Sequence, residues 1–235
     1  MSVLLTRPEA ESREIAGELA RHGVESLLWP LTRIERCPGP VVLPEDTEGI
    51  LFTSANAVRA FAEARAERGL PALCVGARTA RLARECGFAE VRCADGDAAA
   101  LVELAAEAGF RRLFHPRGRD AAADLSAVLA PHGLAVTDQV VYAAEPTGPP
   151  PPAVARALAA GAVRVVTLWS ARNARLLAEC WRRAPPGPLS AVAAAAISAR
   201  AAEPLDGLGF GSISIADRPD RPSMIRLILG SALRR

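Results

Sequence analysis

Short apolar runs alternate along this chain with segments of helical period. The apolar runs predict β-strands at 3–6, 26–35, 49–52, 72–75, 90–94, 112–115, 135–144, 164–169, 190–197 and 212–216. Helical periodicity lies between most of them, with the clearest predicted helices at 55–68, 97–109, 170–183 and 223–233. Strands that alternate with helices over a whole chain predict an α/β fold with mostly parallel sheets.

Helix ends can be placed from capping residues. Ser54 stands directly before the predicted helix 55–68, and Asp97 and Ser170 begin the segments 97–109 and 170–183 as their caps; an N-cap side chain accepts a hydrogen bond from the first turn. Gly23 follows a predicted helix, as the residue that ends a helix in left-handed conformation often does. These residues give the helices definite limits.

The order of elements repeats within the chain. Segment 4–35 resembles 113–145, since both contain a strand, a helix, a His-Gly pair and a long strand. Segment 50–95 resembles 166–217, and Phe52-Thr-Ser-Ala-Asn56 matches Leu168-Trp-Ser-Ala-Arg172. The chain therefore has the order A, B, A′, B′, with two strands in each A unit and three in each B unit. The repeat predicts two five-stranded sheets.

The connectors favour one pairing of these units. Parallel neighbours need a crossover, usually a helix, and 97–109 supplies one between B and A′, whereas the proline-rich connector 37–48 does not. We therefore expect two flavodoxin-like three-layer domains: a continuous inner domain, 37–146, and an interrupted outer domain, 1–36 plus 147–235. The long strands, about 31–37 and 139–146, are the expected crossings, paired as a two-stranded ladder. The second carries Tyr142, the only tyrosine, which we expect to face the cleft between the domains.

Composition excludes several classes of protein. Half of the residues are hydrophobic, which argues against disorder, and 28 basic against 26 acidic residues predict neither a nucleic-acid partner nor a membrane-surface partner. The five cysteines contain no C-x-x-C pair, and the first residues lack the features of a signal peptide. The alanine-rich stretch 189–197 is far too short to span a membrane. These features predict a cytoplasmic protein.

Hydroxyl and glycine residues recur where predicted strands give way to helices, at Thr6, Ser54, Gly76, Ser170 and Ser198. Arginines occur near the same ends, at Arg7, Arg78, Arg117, Arg172 and Arg200, of which Arg7 and Arg117 follow first strands of A units. Helix N-termini and guanidinium groups both bind anions, and parallel sheets bind ligands beyond their carboxyl ends. Ordinary helix caps and solvated surface arginines are the alternative interpretation at each position.

Several motifs together resemble the uroporphyrinogen-III synthase family. They are Leu4-Leu-Thr-Arg-Pro8, Leu51-Phe-Thr-Ser-Ala-Asn-Ala-Val58, Cys74-Val-Gly-Ala-Arg-Thr-Ala80, Phe114-His-Pro-Arg-Gly118, Val140-Val-Tyr142 and the segment around Ser170. The resemblance covers the whole chain and implies a monomeric cyclising hydro-lyase without metal or cofactor. Its implied substrate is hydroxymethylbilane, a linear tetrapyrrole with eight carboxylates, which is closed to uroporphyrinogen III with inversion of ring D and loss of water. Transient contact with hydroxymethylbilane synthase is also implied.

The resemblance also assigns residues. Tyr142 would help the terminal hydroxyl of the bilane to leave, as hydrogen-bond donor or general acid, although a half-buried packing role is the alternative. The implied substrate-binding residues are Thr6, Arg7, Ser54, Thr79, Arg117, Ser170 and Ser198. In the second B unit, Ser198 is the only hydroxyl residue in 197–201, so a catalytic threonine there cannot be assigned.

A second function fits the predicted architecture. Two α/β lobes around a hinge also describe a non-catalytic binding module for a small anionic ligand. Tyr142 on a crossing strand and the missing export signal favour the enzyme.

Overall fold

The computed structural model describes residues 2–94, 98–120 and 124–233, and these form two compact units. The central unit is Ile34–Ala144, and the flanking unit combines the chain up to Arg33 with the chain from Glu145 onward. The predicted cap Asp97 lies outside the described residues. Among the described residues, none of the helices combines the length and hydropathy needed to cross a bilayer.

Strands and helices alternate along both units. The strands are β1 (Ser2–Leu5), β2 (Glu25–Leu28), β3 (Thr32–Arg36), β4 (Gly49–Phe52), β5 (Ala72–Val75), β6 (Val91–Ala94), β7 (Arg112–Gly118), β8 (Ala135–Pro146), β9 (Val163–Leu168), β10 (Ala193–Ala196) and β11 (Ser212–Ile215). The α-helices are α1 (Glu9–Ala20), α2 (Ala55–Ala64), α3 (Ala77–Glu85), α4 (Ala98–Glu107), α5 (Leu125–Leu129), α6 (Pro152–Ala159), α7 (Ala171–Arg183), α8 (Ala199–Ala202) and α9 (Arg221–Leu233). Short 3-10 turns follow α5 and α8.

The flanking unit contains a five-stranded sheet in the order β2-β1-β9-β10-β11, and every adjacent pair is parallel. Side chains alternate between its faces: Leu4 packs with Trp29 and Trp181 on one side, and Leu5 packs with Met224 on the other. Strands buried on both faces explain the nearly continuous apolar runs in the sequence. The unit therefore has three layers, with the sheet between two helical layers.

The central unit repeats this arrangement. Strands β8-β7-β4-β5-β6 are parallel and have the same order as the first sheet when the A and B units are matched. Phe52 packs on one face with Phe61 and Phe88, at centroid separations of 5.8 and 5.3 Å, and both contacts are edge-on. Leu51 packs on the opposite face, beside Leu101. The predicted fold class of two parallel-sheet α/β domains is confirmed, while the exact domain boundaries remain a prediction.

The single strand predicted for 26–35 is wrong. The segment 26–35 is divided into β2 and β3, because Pro30 interrupts the run and has no N–H to donate. Strand β3 pairs with β8, so the second sheet has six strands instead of the predicted five. Cys37 N–H donates to Val141 O at 2.9 Å and Thr147 N–H donates to Leu31 O at 3.2 Å. The residue number rises along β3 as that of its partner falls along β8, so the two strands are antiparallel.

Among the other element ends that differ from prediction, two have clear local reasons. The helix predicted for 55–68 ends at Ala64, because the guanidinium of Arg68 donates to the carbonyls of Ala62, Arg65 and Cys86 and so stabilises a non-helical turn. The strand predicted for 112–115 continues to Gly118, alongside its long neighbour β8.

The two His-Gly pairs end matching elements. Gly23 and Gly133 both have left-handed conformation, with φ of 72° and 73°, and their N–H groups donate to Ala20 O and Ala130 O. A residue with a side chain is strained in that conformation, so glycine is required in both A units.

Candidate active site

Tyr142 lies on β8 of the central unit, partly buried against the aromatic core around Phe61. Its carbonyl accepts a hydrogen bond from Arg119 N–H at 2.9 Å, which fixes the backbone there. Its phenol ring lies against the backbone of Gly118, the last residue of β7. Within the described part of the chain, the Tyr142 hydroxyl has no hydrogen-bond partner. A phenol in this state can donate its proton or hydrogen bond to a ligand.

Arg117 occupies a different position from the one predicted. It lies within β7, not in the turn after it, and its Nε pairs with the carboxylate of Asp138 on β8. Its Nη1 also donates to Gly118 O at 3.3 Å. The sequence did not predict that β7 extends past Pro116, because a proline inside a central strand is unusual. A ligand carboxylate at Arg117 would have to share the guanidinium with Asp138.

His115 is a neighbour of this pair and is 2% exposed. Burial lowers its pKa from 6.5 to about 4; Asp138 opposes the shift and Arg117 adds to it. The ring is therefore neutral at physiological pH. Its Nε2 lies 3.2 Å from the hydroxyl of Thr53, which follows β4, so the histidine couples the middle of β7 to the end of β4.

Ser54 and Thr79 belong to helix N-termini of the central unit. The Ser54 hydroxyl accepts a hydrogen bond from Asn56 N–H at 3.1 Å and caps α2, as predicted. Thr79 lies in the first turn of α3 and is 5% exposed, whereas Ser54 is half-buried. Of the two residues, Ser54 is the more exposed to solvent.

Thr6 and Arg7 follow β1 in the flanking unit. Thr6 is fully buried; its hydroxyl donates to Thr167 O and its carbonyl accepts from Asn173 Nδ2 at 3.0 Å. These bonds join β1, β9 and α7. The guanidinium carbon of Arg7 instead lies 5.0 Å from the ring centroid of Trp169, in a cation–π contact.

Ser170 and Ser198 are the N-caps of α7 and α8, the helices that follow β9 and β10 of the same sheet. The Ser170 hydroxyl accepts from Asn173 N–H at 3.1 Å, and the Ser198 hydroxyl accepts from Ala201 N–H at 3.3 Å. Helix α7 has 13 residues, whereas α8 has only 4, so the peptide dipoles that favour an anion are much better aligned at Ser170.

The predicted residues therefore form one group in each unit. Thr6, Arg7, Ser170 and Ser198 lie near the carboxyl ends of β1, β9 and β10, and Ser54, Thr79, Arg117 and Tyr142 lie toward the carboxyl ends of their own sheet. Two grooves of about 670 Å³ in the flanking unit lie elsewhere, one along β11 and α9 and one at the amino ends of β1 and β2. Neither groove includes a predicted site residue.

Sequence reasoning missed two residues at these ends. Trp169 occupies the place in the B′ unit that Thr53 has in the B unit, so the internal repeat could have identified it. Gly118 could not be recognised, because its contact with Tyr142 depends on how β7 and β8 pair.

The described residues contain no cluster of three or more histidine, cysteine, aspartate or glutamate side chains able to hold a metal ion. The five cysteines all lie within the described part of the chain, and none of them forms a disulfide there.

Comparison with known proteins agrees with the architecture. A uroporphyrinogen-III synthetase structure from Helicobacter pylori matches with a TM-score of 0.66 at 16% identity, over 97% of this chain and 98% of that chain. A mutant uroporphyrinogen III synthase from Thermus thermophilus matches with a TM-score of 0.50 at 19% identity, over 98% of both chains. At these identities the likeness concerns the fold alone.

No curated protein matches the sequence significantly. The family model described as "Uroporphyrinogen-III synthase HemD" matches residues 13–226, which is most of the chain. The chain thus belongs to the uroporphyrinogen-III synthase family of cyclising lyases.

Proposed function

We propose that this chain closes hydroxymethylbilane to uroporphyrinogen III, and that Tyr142 assists the departure of the substrate hydroxyl. Family membership supports the reaction. The observation that supports the role of Tyr142 is its position on β8 beside Gly118, with a hydroxyl that is unpaired among the described residues. A positioned phenol can act as a hydrogen-bond donor or general acid.

The chemistry requires little covalent help from the protein. The terminal hydroxyl leaves as water with a proton from the Tyr142 phenol, while the pyrrole nitrogen lone pair forms an azafulvene. Ring D attacks through its substituted carbon, and the spiro intermediate fragments and recloses with ring D inverted. Loss of a ring proton restores aromaticity and balances the proton given to water. The protein mainly orients the bilane and prevents simple closure.

Substrate carboxylates need anion sites, and Arg7, Ser54 and Ser170 are the strongest proposals. Arg7 is half-buried and held by an aromatic ring, while Ser54 and Ser170 lie at the N-termini of helices of 10 and 13 residues. Thr6 and Thr79 are buried, so we assign them to support of the turns around them. Arg117 and Ser198 remain proposed contacts of lesser weight, because Arg117 is paired with Asp138 and Ser198 caps a single short turn.

We also propose that the enzyme acts in the cytoplasm as a monomer, and that it meets hydroxymethylbilane synthase transiently. The unbridged thiols and the nearly balanced charge support a reducing compartment without a polyanionic partner.

The variant Tyr142→Phe tests the proposed role. We expect its turnover of bilane, supplied by a hydroxymethylbilane synthase, to fall by about 10²-fold to 10⁴-fold, the range typical of a lost acid. Thr137→Val is the matched control, since it removes an exposed hydroxyl from the same strand. Wild-type turnover in Tyr142→Phe would exclude Tyr142 as the proton donor.

A further inference from the structure

A one-residue register shift decides which face of the sheet Tyr142 occupies. Strands β7 and β8 pair in a constant register, from Arg112 opposite Ala135 to Arg117 opposite Val140. The next residue of β7, Gly118, lies opposite Tyr142. Residue 141 is thus an extra residue of β8, as in a β-bulge. Because side chains alternate along a strand, the extra residue lets the side chains of both 141 and 142 pack against the same aromatic core.

Gly118 leaves the space that the Tyr142 ring fills. A Cβ atom at position 118 would lie 2.8 Å from Tyr142 Cζ, 2.9 Å from its hydroxyl oxygen and 3.0 Å from Cε2. The first two separations are shorter than real Cβ contacts. Gly118 does not have a positive φ, so the backbone conformation alone does not require glycine there. Glycine is needed at 118 because any side chain there would occupy the space of the Tyr142 ring.

If residue 118 were larger, the hydroxyl end of the Tyr142 side chain would move. The backbone around it is held by the β7–β8 pairing and by the bond from Arg119 N–H to Tyr142 O. The atoms nearest to the missing Cβ belong to the phenol end of a side chain with two rotatable bonds. A methyl group at 118 would therefore displace the hydroxyl and leave the strands in place.

We propose that Gly118 is a positioning residue for Tyr142, which it holds where the hydroxyl serves the reaction. The activity part of this inference rests on the proposed function of Tyr142. Positioning makes a specific prediction, namely that the effects of changing 118 and 142 are not independent.

A double-mutant cycle tests that prediction with bilane as the substrate. Gly118→Ala should lower kcat toward the level of Tyr142→Phe, with a smaller change in KM, and the double variant should be no slower than Tyr142→Phe alone. Gly17→Ala is the control, because a Cβ atom added to Gly17 would meet no other atom within 4 Å, and Gly17 lies on the exposed side of α1. Normal kcat in Gly118→Ala beside an impaired Tyr142→Phe, or losses that multiply in the double variant, would overturn the proposal.

The single tyrosine gives a second readout that does not depend on activity. Labelling with [¹³Cζ]tyrosine yields one phenol resonance, which Gly118→Ala should shift and Gly17→Ala should not. If Tyr142→Phe keeps wild-type turnover, the proton-donor role fails, and this resonance still decides whether Gly118 positions the ring. An unmoved resonance in Gly118→Ala would overturn the proposal.

Stability provides a third test if Gly118→Ala folds poorly. The clash requires the ring, so in a Tyr142→Ala background the same change should no longer lower the midpoint of urea unfolding. An equal shift in both backgrounds would show that the glycine has another purpose.

Discussion

The guanidinium carbon of Arg7 lies 5.0 Å from the ring centroid of Trp169, and its Nε lies 3.7 Å from Oε2 of Glu11. The Arg7 side chain is still 30% exposed, whereas that of Glu11 is only 9% exposed. An arginine held in place by an aromatic ring and a buried carboxylate loses little freedom when it binds an anion. This fixed position is our reason for choosing Arg7 as a carboxylate contact.

Replacing Arg7 with lysine should weaken binding of the bilane. Lysine keeps the charge but loses the planar fork that binds a carboxylate through two hydrogen bonds. A charged hydrogen bond contributes about 1.5–3 kcal/mol, so KM should rise by roughly 10-fold to 100-fold in steady-state assays. Arg13→Lys is the control, because Arg13 is exposed and pairs with Glu9 on the same helix. The same KM in both variants would remove Arg7 from the site.

His115 should make the fold less stable in mild acid. Its pKa is lowered from 6.5 to about 4, chiefly by burial. Above pH 6.5 neither state is protonated there; between 6.5 and 4 only the unfolded chain takes up the proton, so stability falls as the pH falls. The full loss is on the order of 3 kcal/mol.

Urea unfolding at pH 7.5, 6 and 5 measures this dependence. His115→Gln should lose part of the slope, whereas the exposed His132 should allow His132→Gln to keep it. Identical slopes in the wild type and His115→Gln would mean that the buried ring does not cause the pH dependence.

Two replacements of Ser170 separate its cap from its proposed contact with substrate. Ser170→Ala removes the acceptor for Asn173 N–H and should reduce the free energy of unfolding by about 1 kcal/mol. Ser170→Asp keeps a good cap, so stability should be retained, but its charge should repel substrate carboxylates and raise KM. If Ser170→Asp binds bilane as the wild type does, Ser170 is only a helix cap.

The pattern of the sequence predicted the fold because the apolar runs of the inner strands, such as β1, β4 and β9, are buried on both faces of a sheet. Pro30 marks the break between β2 and β3 in the sequence, but the change of sheet that follows it could not be predicted, because no local pattern contains the partner of a strand. The same applies to Arg117, which lies inside β7 because β8 continues beside it. Thr6 was identified at the correct strand end, but its bond to Thr167 joins residues 161 positions apart.

The sequence predicted which elements the site residues belong to better than it predicted which residues they contact. The repeat placed Ser54 and Ser170 at equivalent helix caps, and both caps are present. The contact between Gly118 and Tyr142 depends on one extra residue in β8, and the continuous apolar run 140–144 does not show where that register shift occurs.

The identity of the cyclised product tests the account most directly. Purified protein is supplied with hydroxymethylbilane as it forms, and the oxidised porphyrin isomers are separated. We expect the type III isomer to predominate and to decline in Tyr142→Phe. Formation of the spontaneous type I isomer alone, at the level seen without the protein, would contradict the synthase activity and leave a non-catalytic binding module.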